Sequence, residues 1–129
     1  MTPFKNEVSD DKVASIFALM CLHEVTNTHL LHWSSKSFAQ HTALGEFYDS
    51  LQDLTDDVVE AYMGKYGQIM DFPDAYAPPK SDPVEELEEF SDNVKQLRDK
   101  LPQDSELQNL IDSIAELCDS TLYKLRFLK

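Results

Sequence analysis

The sequence contains few basic residues for its length. Eleven Lys and Arg stand against 24 Asp and Glu among 129 residues, which gives a formal net charge of −13 at pH 7. Affinity for nucleic acid comes largely from basic side chains that displace counterions from phosphates. The deficit therefore argues against a DNA-compacting or RNA-binding function. An acidic surface attracts cations instead.

Cysteine and long apolar runs are also scarce. Cys21 and Cys118 lie far apart, and neither belongs to a Cys-x-x-Cys pair. Both stand within apolar helical patterns, so we expect small buried side chains in a reducing compartment. The run around Val13 to Leu22 is too short to cross a bilayer, and the first residues do not resemble a signal peptide. We therefore expect a cytoplasmic protein without membrane contact.

Motifs of common enzyme classes are missing. With 3 glycines, the chain has no glycine-rich phosphate loop, and no strand-like alternation appears. No serine or cysteine nucleophile stands beside a recognisable base. The remaining signal is helical periodicity.

Apolar residues recur at helical spacing in segments at about residues 9–33, 37–66, 82–101 and 104–128. The length predicts one domain over residues 1–129, with a loose arm before Val8. Ser37 with Gln40 predicts a capping box, and Asp82 before Pro83 predicts another helix start. Asp104 and Ser105 are expected to cap the last helix. The buried stripe of the first helix is expected to comprise Val13, Ile16, Phe17, Met20, Asn27 and Leu31.

The connections between these segments predict the topology. A short turn at Ser34–Ser37 makes the first two helices antiparallel neighbours. The segment Gly67–Ser81 holds 3 of the 6 prolines and can extend over about 50 Å, enough to follow the length of a bundle. The sequence therefore predicts an all-α four-helix bundle made of two antiparallel hairpins joined by a long crossover.

Several polar groups point away from the predicted core. On a helical wheel, the second helix places four carboxylates opposite its buried stripe, at Asp49, Asp53, Asp56 and Glu60. Such an acidic stripe is most often a solvated face. His32 likewise lies off the first helix's stripe, and His41 follows the turn. Imidazole and carboxylate together suit a divalent transition metal, and a site built from outward groups must form between two subunits.

At these positions the chain resembles the Dps-type miniferritins of the ferritin-like superfamily. That family has a His-Trp pair ending the first helix, a His early in the second, and Asp-x-x-x-Glu fifteen residues later. The matching residues lie within about residues 28–62 and are His32, Trp33, Phe38, His41, Phe47, Leu51, Asp53, Asp56 and Glu60.

The resemblance implies a ferritin-like four-helix bundle with a ferroxidase centre at a two-fold dimer interface. His32 and His41 would come from one subunit, and Asp56 and Glu60 from its partner. Iron would bind as Fe2+ and be oxidised by peroxide or dioxygen to Fe3+, which a hollow dodecamer would store. The implied partners are ferrous iron and other copies of the chain, as a homodimer or a dodecamer.

The chain departs from the family pattern in three ways. The turn between His32 and His41 is shorter and lacks the family's glycine-containing segment. Four residues after the second histidine, where the family has a carboxylate, this chain has Gly45. Glu46 or Asp49 would therefore have to serve as an additional ligand. The basic N-terminal tail that serves DNA binding in some members is absent.

Two alternatives stand beside this interpretation. Glu24, with His23 and Asn27, lies on the predicted core stripe and is a possible additional ligand, although in-bundle di-iron sites need Glu-x-x-His motifs, which the chain lacks. A hydrogen-bonded polar cluster is therefore favoured there. The run of residues 85–89, Glu-Glu-Leu-Glu-Glu, is expected to be a solvated face.

From a different functional class, the chain could be a catalytically silent four-helix-bundle oligomer that uses the His32 and Trp33 face for structural or partner binding.

Overall fold

The structure is a computed structural model and describes residues 8–129, with side chains from Asp11 onward. The arm expected before Val8 lies outside the described residues. The helices are α1 (Val8–Ser34), α2 (Phe38–Tyr66), α3 (Pro83–Arg98) and α4 (Ser105–Phe127). The described part of the chain contains no strand. The prediction of an all-α four-helix bundle is thus confirmed.

Two of the three predicted helix starts have a side-chain N-cap bond. Ser37 Oγ accepts a hydrogen bond from Gln40 N at 3.3 Å, and Asp82 Oδ1 accepts one from Val84 N at 3.0 Å. Asp104 occupies the N-cap position of α4 but makes no side-chain cap bond, contrary to the prediction.

The Asp104 carboxylate binds α2 instead. It accepts hydrogen bonds from the side chains of Lys65 and Tyr66, and these bonds hold the pKa of Asp104 below its usual value. A tertiary contact between helices has therefore replaced the local cap.

The end of α3 was predicted near residue 101, and the helix ends at Arg98. Lys100 N donates to Leu97 O and Leu101 N to Arg98 O, which makes a tighter turn before Pro102. A proline disfavours helical geometry in the residue before it. The α-helix therefore ends at Arg98, four residues before Pro102.

The ends of the helices confirm the crossover topology. Lys65 at the end of α2 pairs with Asp104 at the start of α4, whereas Glu46 near the start of α2 meets Lys124 near the end of α4 at 3.3 Å. These two helices are therefore antiparallel. Tyr62 OH donates to Asp11 Oδ1 at 2.6 Å, so α1 and α2 are antiparallel as well. Residues 67–82, here called the crossover segment, bring the chain back along the bundle.

All four helices contribute to one hydrophobic cluster. Phe47 of α2 and Phe90 of α3 meet edge to face with ring centroids 6.3 Å apart. Cys21 and Cys118 are free and fully buried, as predicted. The largest fully buried apolar side chains are Phe17, Leu44, Phe47, Leu51, Leu87, Ile111, Ile114 and Val94.

One predicted core residue of α1 is at the surface. Ile16 is 36% exposed, whereas Ala14, Phe17 and Ala18 are buried. Ile16 precedes Phe17 by one residue and so lies about 100° around the helix from it. It lines the edge of a cavity instead of the core. No helix in residues 8–129 is both long and apolar enough to cross a membrane.

Candidate functional site

The two predicted metal-binding histidines lie together at the tip of the first hairpin, where α1 ends and α2 begins. The rings of His32 and His41 are stacked, with centroids 3.6 Å apart and planes inclined by 18°. Both residues are partly exposed. The short turn from Ser35 to Ser37 brings the last turn of α1 beside the first turn of α2, so that residues nine apart in sequence touch.

Reciprocal hydrogen bonds fix the orientation of both rings. His32 Nδ1 lies 2.6 Å from the carbonyl oxygen of His41, and His41 Nδ1 lies 2.9 Å from that of His32. A carbonyl oxygen only accepts, so each Nδ1 must carry the hydrogen. Each neutral imidazole therefore has its lone pair on Nε2. This arrangement is common in metal-binding histidines, whose other ring nitrogen donates to a carbonyl or carboxylate.

Gly45 makes this ring position possible. A Cβ atom at Gly45 would lie 3.0 Å from His32 Cε1 and 3.2 Å from His32 Nδ1. The absence of a side chain lets the imidazole approach the backbone of α2. Gly45 is thus the residue of α2 against which the His32 ring packs.

We expect Gly45→Ala and Gly64→Ala to differ, although both glycines are inside α2. Alanine at Gly64 meets no atom within 4 Å and should raise the free energy of unfolding by about 1 kcal/mol. Alanine at Gly45 must displace the His32 ring, so the free energy of unfolding of Gly45→Ala should be lower than that of Gly64→Ala by about 1 kcal/mol or more. Urea unfolding measures the difference. Equal gains, with unchanged His32 imidazole NMR signals, would contradict the close packing.

Sequence reasoning missed a third histidine in the cluster. The His29 ring stacks on Tyr48 at 4.1 Å between centroids, and it also contacts Trp33 at 4.4 Å. His29 precedes His32 by three residues and Trp33 by four, which places all three on one helix face. That spacing was the available signal. Tyr48 is the side chain of α2 that stacks on His29.

The predicted carboxylate ligands do not meet these histidines within one chain. Asp56 and Glu60 are exposed. Fifteen residues of helix separate His41 from Asp56, which is about 22 Å along the axis of α2. Among the additional candidates, Asp49 is exposed and Glu46 pairs with Lys124 at 3.3 Å. Within residues 8–129, no group of three or more His, Cys, Asp or Glu is arranged to hold a metal ion.

Large aromatic side chains surround the histidine pair at the surface. Trp33 is 66% exposed and Phe38 is 82% exposed. The Phe38 ring lies 6.4 Å from that of His41. Aromatic residues exposed in this way are enriched in protein interfaces, where they become buried.

The second candidate, Glu24, is a buried acid. It is 4% exposed, and no N–H or hydroxyl group of the protein donates to its Oε2. Burial, together with the neighbouring acid Glu86, raises the pKa of Glu24 to about 10, so that the group is protonated at neutral pH. The expected polar cluster is present in part, since Asn27 Nδ2 donates to Ala77 O at 3.1 Å and Tyr76 OH donates to Asn27 Oδ1 at 2.6 Å.

The acid next to Glu24 is Glu86, which belongs to the acidic run that was predicted to be wholly solvated. Glu85, Glu88 and Glu89 are exposed, but Glu86 is 9% exposed, so the prediction was wrong for this residue. Glu86 stands four residues before the buried Phe90 and therefore shares its helix face. The crossover segment then covers it, because Lys80 N donates to Glu86 Oε1 at 2.8 Å.

Comparisons with known proteins give one match. Residues 32–125 match the family described as a family of unknown function, DUF5856, and this range contains all of α2 and α3 and all but the last two residues of α4. No curated protein and no solved structure matches the chain, so the resemblance to the miniferritins stays a prediction. The match covers well over half of the sequence, and the chain therefore belongs to family DUF5856.

Proposed function

We propose that the protein is an iron-binding, Dps-like homo-oligomer whose metal site forms between subunits. His32 and His41 of one copy would face Asp56 and Glu60 of another, and ferrous iron would be bound there and oxidised. The observation that carries the proposal is the pair of Nδ1–carbonyl hydrogen bonds, which leaves both Nε2 atoms available as ligands. The two buried free thiols are consistent with a reducing cytoplasmic location.

The remaining features of this face favour association with a second copy. Trp33 and Phe38 supply apolar surface beside the histidines. Asp56 and Glu60 are exposed one helical turn apart, which lets both carboxylates contact one partner. Since the two sets of ligands are about 22 Å apart in one chain, only an assembly can join them.

The stacked rings limit how iron could bind. A metal ion bound to an imidazole lies near the plane of that ring, at about 2.1 Å from the nitrogen. The planes of His32 and His41 are nearly parallel, so no point close to both rings lies in both planes. The two histidines would therefore bind separate ions, each completed by a partner carboxylate, unless one ring turns.

Two neighbouring ions suit a two-electron oxidant. Two Fe2+ ions each lose one electron, and hydrogen peroxide takes both with two protons, which yields two Fe3+ and two water molecules. Carboxylates stabilise the ferric product because their oxygen atoms carry negative charge. The net charge of −13 would help to draw Fe2+ to the assembly.

Anaerobic titration with Fe2+, followed by peroxide, tests the proposal. The unmodified protein should take up iron to a fixed stoichiometry and form Fe3+ rapidly. A His32→Ala/Asp56→Ala variant should bind iron roughly 10-fold to 100-fold more weakly, because it lacks ligands from both halves of the site. Asp57→Ala is the matched control, since Asp57 is an exposed neighbour of Asp56 on another part of the helix surface. Equal uptake by all three proteins would contradict these ligands.

Mixing two single variants tests whether the site is shared. His32→Ala and Asp56→Ala homodimers should each be inactive, because every site in them lacks one ligand. After refolding together at equal amounts, half of the dimers should be mixed, and each mixed dimer restores one of its two sites. Oxidation should then return to about a quarter of the unmodified rate. No recovery, or a solution mass of one chain, would rule out an inter-subunit site.

The alternative is a catalytically silent oligomer that uses the same face for structural or partner binding. The observation in its favour is Gly45, which occupies the position of a ligand in the miniferritins and whose space is taken by His32. This alternative predicts assembly that depends on Trp33 and Phe38, without any iron oxidation. Sedimentation of Trp33→Ala, together with the iron titration, separates the two functions.

A further inference from the structure

A cavity of about 570 Å³ lies at some distance from the histidine cluster, between α1, α3 and the crossover segment. Its volume is within the usual range for small-molecule sites. The crossover segment covers it and is attached to α1 by the hydrogen bonds of Asn27 with Tyr76 and Ala77. On the α3 side, Lys80 N is bound to Glu86, and Lys80 Nζ pairs with Glu89 at 3.2 Å.

Acidic groups from two helices reach the cavity. Glu24 of α1 and Glu86 of α3 are both buried, and Glu89 lies near the rim. One oxygen of Glu86 accepts the Lys80 backbone hydrogen bond. No N–H or hydroxyl group of the protein donates to Glu24 Oε2, which is completely buried. Its neighbour is the carboxyl group of Glu86, and two carboxyl groups hydrogen-bond to each other only through a proton that one of them carries. A cation that donates hydrogen bonds can take the place of that proton.

The rest of the lining is largely apolar and aromatic. Phe90, Met20 and Leu19 form apolar wall, and the His23 ring meets Tyr76 edge to face at 5.0 Å between centroids. Such walls accommodate a hydrocarbon or aromatic body, and aromatic rings also attract cations.

We propose that this cavity binds a small organic ammonium ion, with its charged nitrogen between Glu24 and Glu86 and its apolar body against Phe90 and Met20. An anion is disfavoured by the carboxylates. A bare metal ion is disfavoured because the described residues contain no group of three or more metal ligands and because the cavity is far larger than an ion.

Binding of such a cation is coupled to the release of a proton from Glu24. Burial, together with Glu86 and Glu89 of α3, raises the pKa of Glu24, so that the free protein holds a proton at neutral pH. The other ionisable groups near it are His23 of α1 and Tyr76 of the crossover segment, which line the same cavity, and the thiols Cys21 of α1 and Cys118 of α4. Burial raises the pKa of both thiols. Lys80 of the crossover segment is paired with Glu89. A bound ammonium favours the ionised carboxylate, so Glu24 should release its proton when the ligand binds.

Calorimetric titration with a panel of primary amines, from 2-phenylethylamine to tryptamine, tests the proposal. We expect saturable binding of one amine per chain. Glu24→Gln should weaken it roughly tenfold or more, because the amide keeps the size of the side chain but cannot become negative. Glu116→Gln, an exposed change on α4, should leave the affinity unchanged. 2-Phenylethanol, 3-phenylpropionate and Mn2+ serve as neutral, anionic and metal probes.

Titrations in two buffers of different ionisation enthalpy measure how many protons are released for each amine that binds. Up to one proton should be released per amine bound, and the affinity should rise from about pH 6 to about pH 8.5 as that proton becomes easier to lose. The proposal is overturned if no amine of the panel binds, if Glu24→Gln binds equally well, or if no proton is released. Binding of 2-phenylethanol as tightly as the amine, or displacement of the amine by Mn2+, would overturn it as well.

Discussion

Glu24→Gln is expected to stabilise the protein by about 3 kcal/mol at pH 7. The pKa of Glu24 rises from its usual 4.5 to about 10 on folding, so at pH 7 the ionised group of the unfolded chain must take up a proton in order to be buried. That uptake costs about 1.4 kcal/mol for each of the two and a half pH units between 4.5 and 7. Glutamine fills the same space without a proton to acquire, and its amide can donate to Glu86.

The pH dependence gives the sign of the effect. Because the folded pKa is the higher one, the contribution of Glu24 to stability is fully present below pH 4.5 and is lost as the pH rises towards 10. Relative to Glu24→Gln, the unmodified protein should lose about 1.4 kcal/mol per pH unit over that window. Urea unfolding at several pH values measures the slope, with Glu116→Gln as the exposed control. Parallel curves for the unmodified protein and Glu24→Gln would show that Glu24 is not buried as an acid.

This result would also sharpen the test of the amine site. A variant that is more stable than the unmodified protein cannot lose ligand binding through unfolding. If Glu24→Gln gains stability and loses the amine, the loss comes from the carboxylate itself. Stability and binding then report on two different properties of one side chain.

Phe47→Ala is expected to destabilise the protein by about 3 to 5 kcal/mol. Phe47 is fully buried in α2 and packs edge to face on Phe90 of α3. Removing its ring loses the free energy gained by burying apolar surface away from water. It also leaves a cavity that the neighbouring helices fill only in part. Domains of this size have a total stability of about 5 to 15 kcal/mol, so the loss is a large fraction of the whole.

Phe38→Ala is the matched control for that change. Phe38 is at the start of the same helix and is 82% exposed, so truncation should alter the unfolding free energy of the dilute, unassembled chain by less than about 0.5 kcal/mol. Urea unfolding compares the two variants. A small effect of Phe47→Ala would mean that α2 and α3 do not share the core described above.

The positions of the helices could be predicted because their signals are local. Helical spacing of apolar residues, Asp82 before Pro83 and the Ser37 cap each act within a few residues, and the structure places the helices within three residues of the predicted bounds. The topology followed from the lengths of the two connections. Asp104 was misjudged because its carboxylate binds Lys65 and Tyr66, which are distant in sequence.

The candidate sites were predictable only in part. Spacing predicted that His32 lies off the buried stripe of α1 and that His41 follows the turn, and the resemblance to the miniferritins placed both in one site. The exchange of Nδ1 hydrogen bonds depends on how closely two helix ends approach. Glu86 looks like its exposed neighbours in the acidic run. Its burial depends on the crossover segment, whose position no periodic pattern describes.

The sequence by itself determined the helices, their pairing into two hairpins, the acidic surface and the presence of imidazole and carboxylate groups at helical spacing. Only the tertiary structure decided which of these groups meet, because burial and hydrogen bonding depend on segments that are far apart along the chain. Gly45 gives space to His32, and the crossover segment closes a cavity over Glu24 and Glu86. The chemical groups are therefore encoded locally, and their surroundings are set by the packing of the whole bundle.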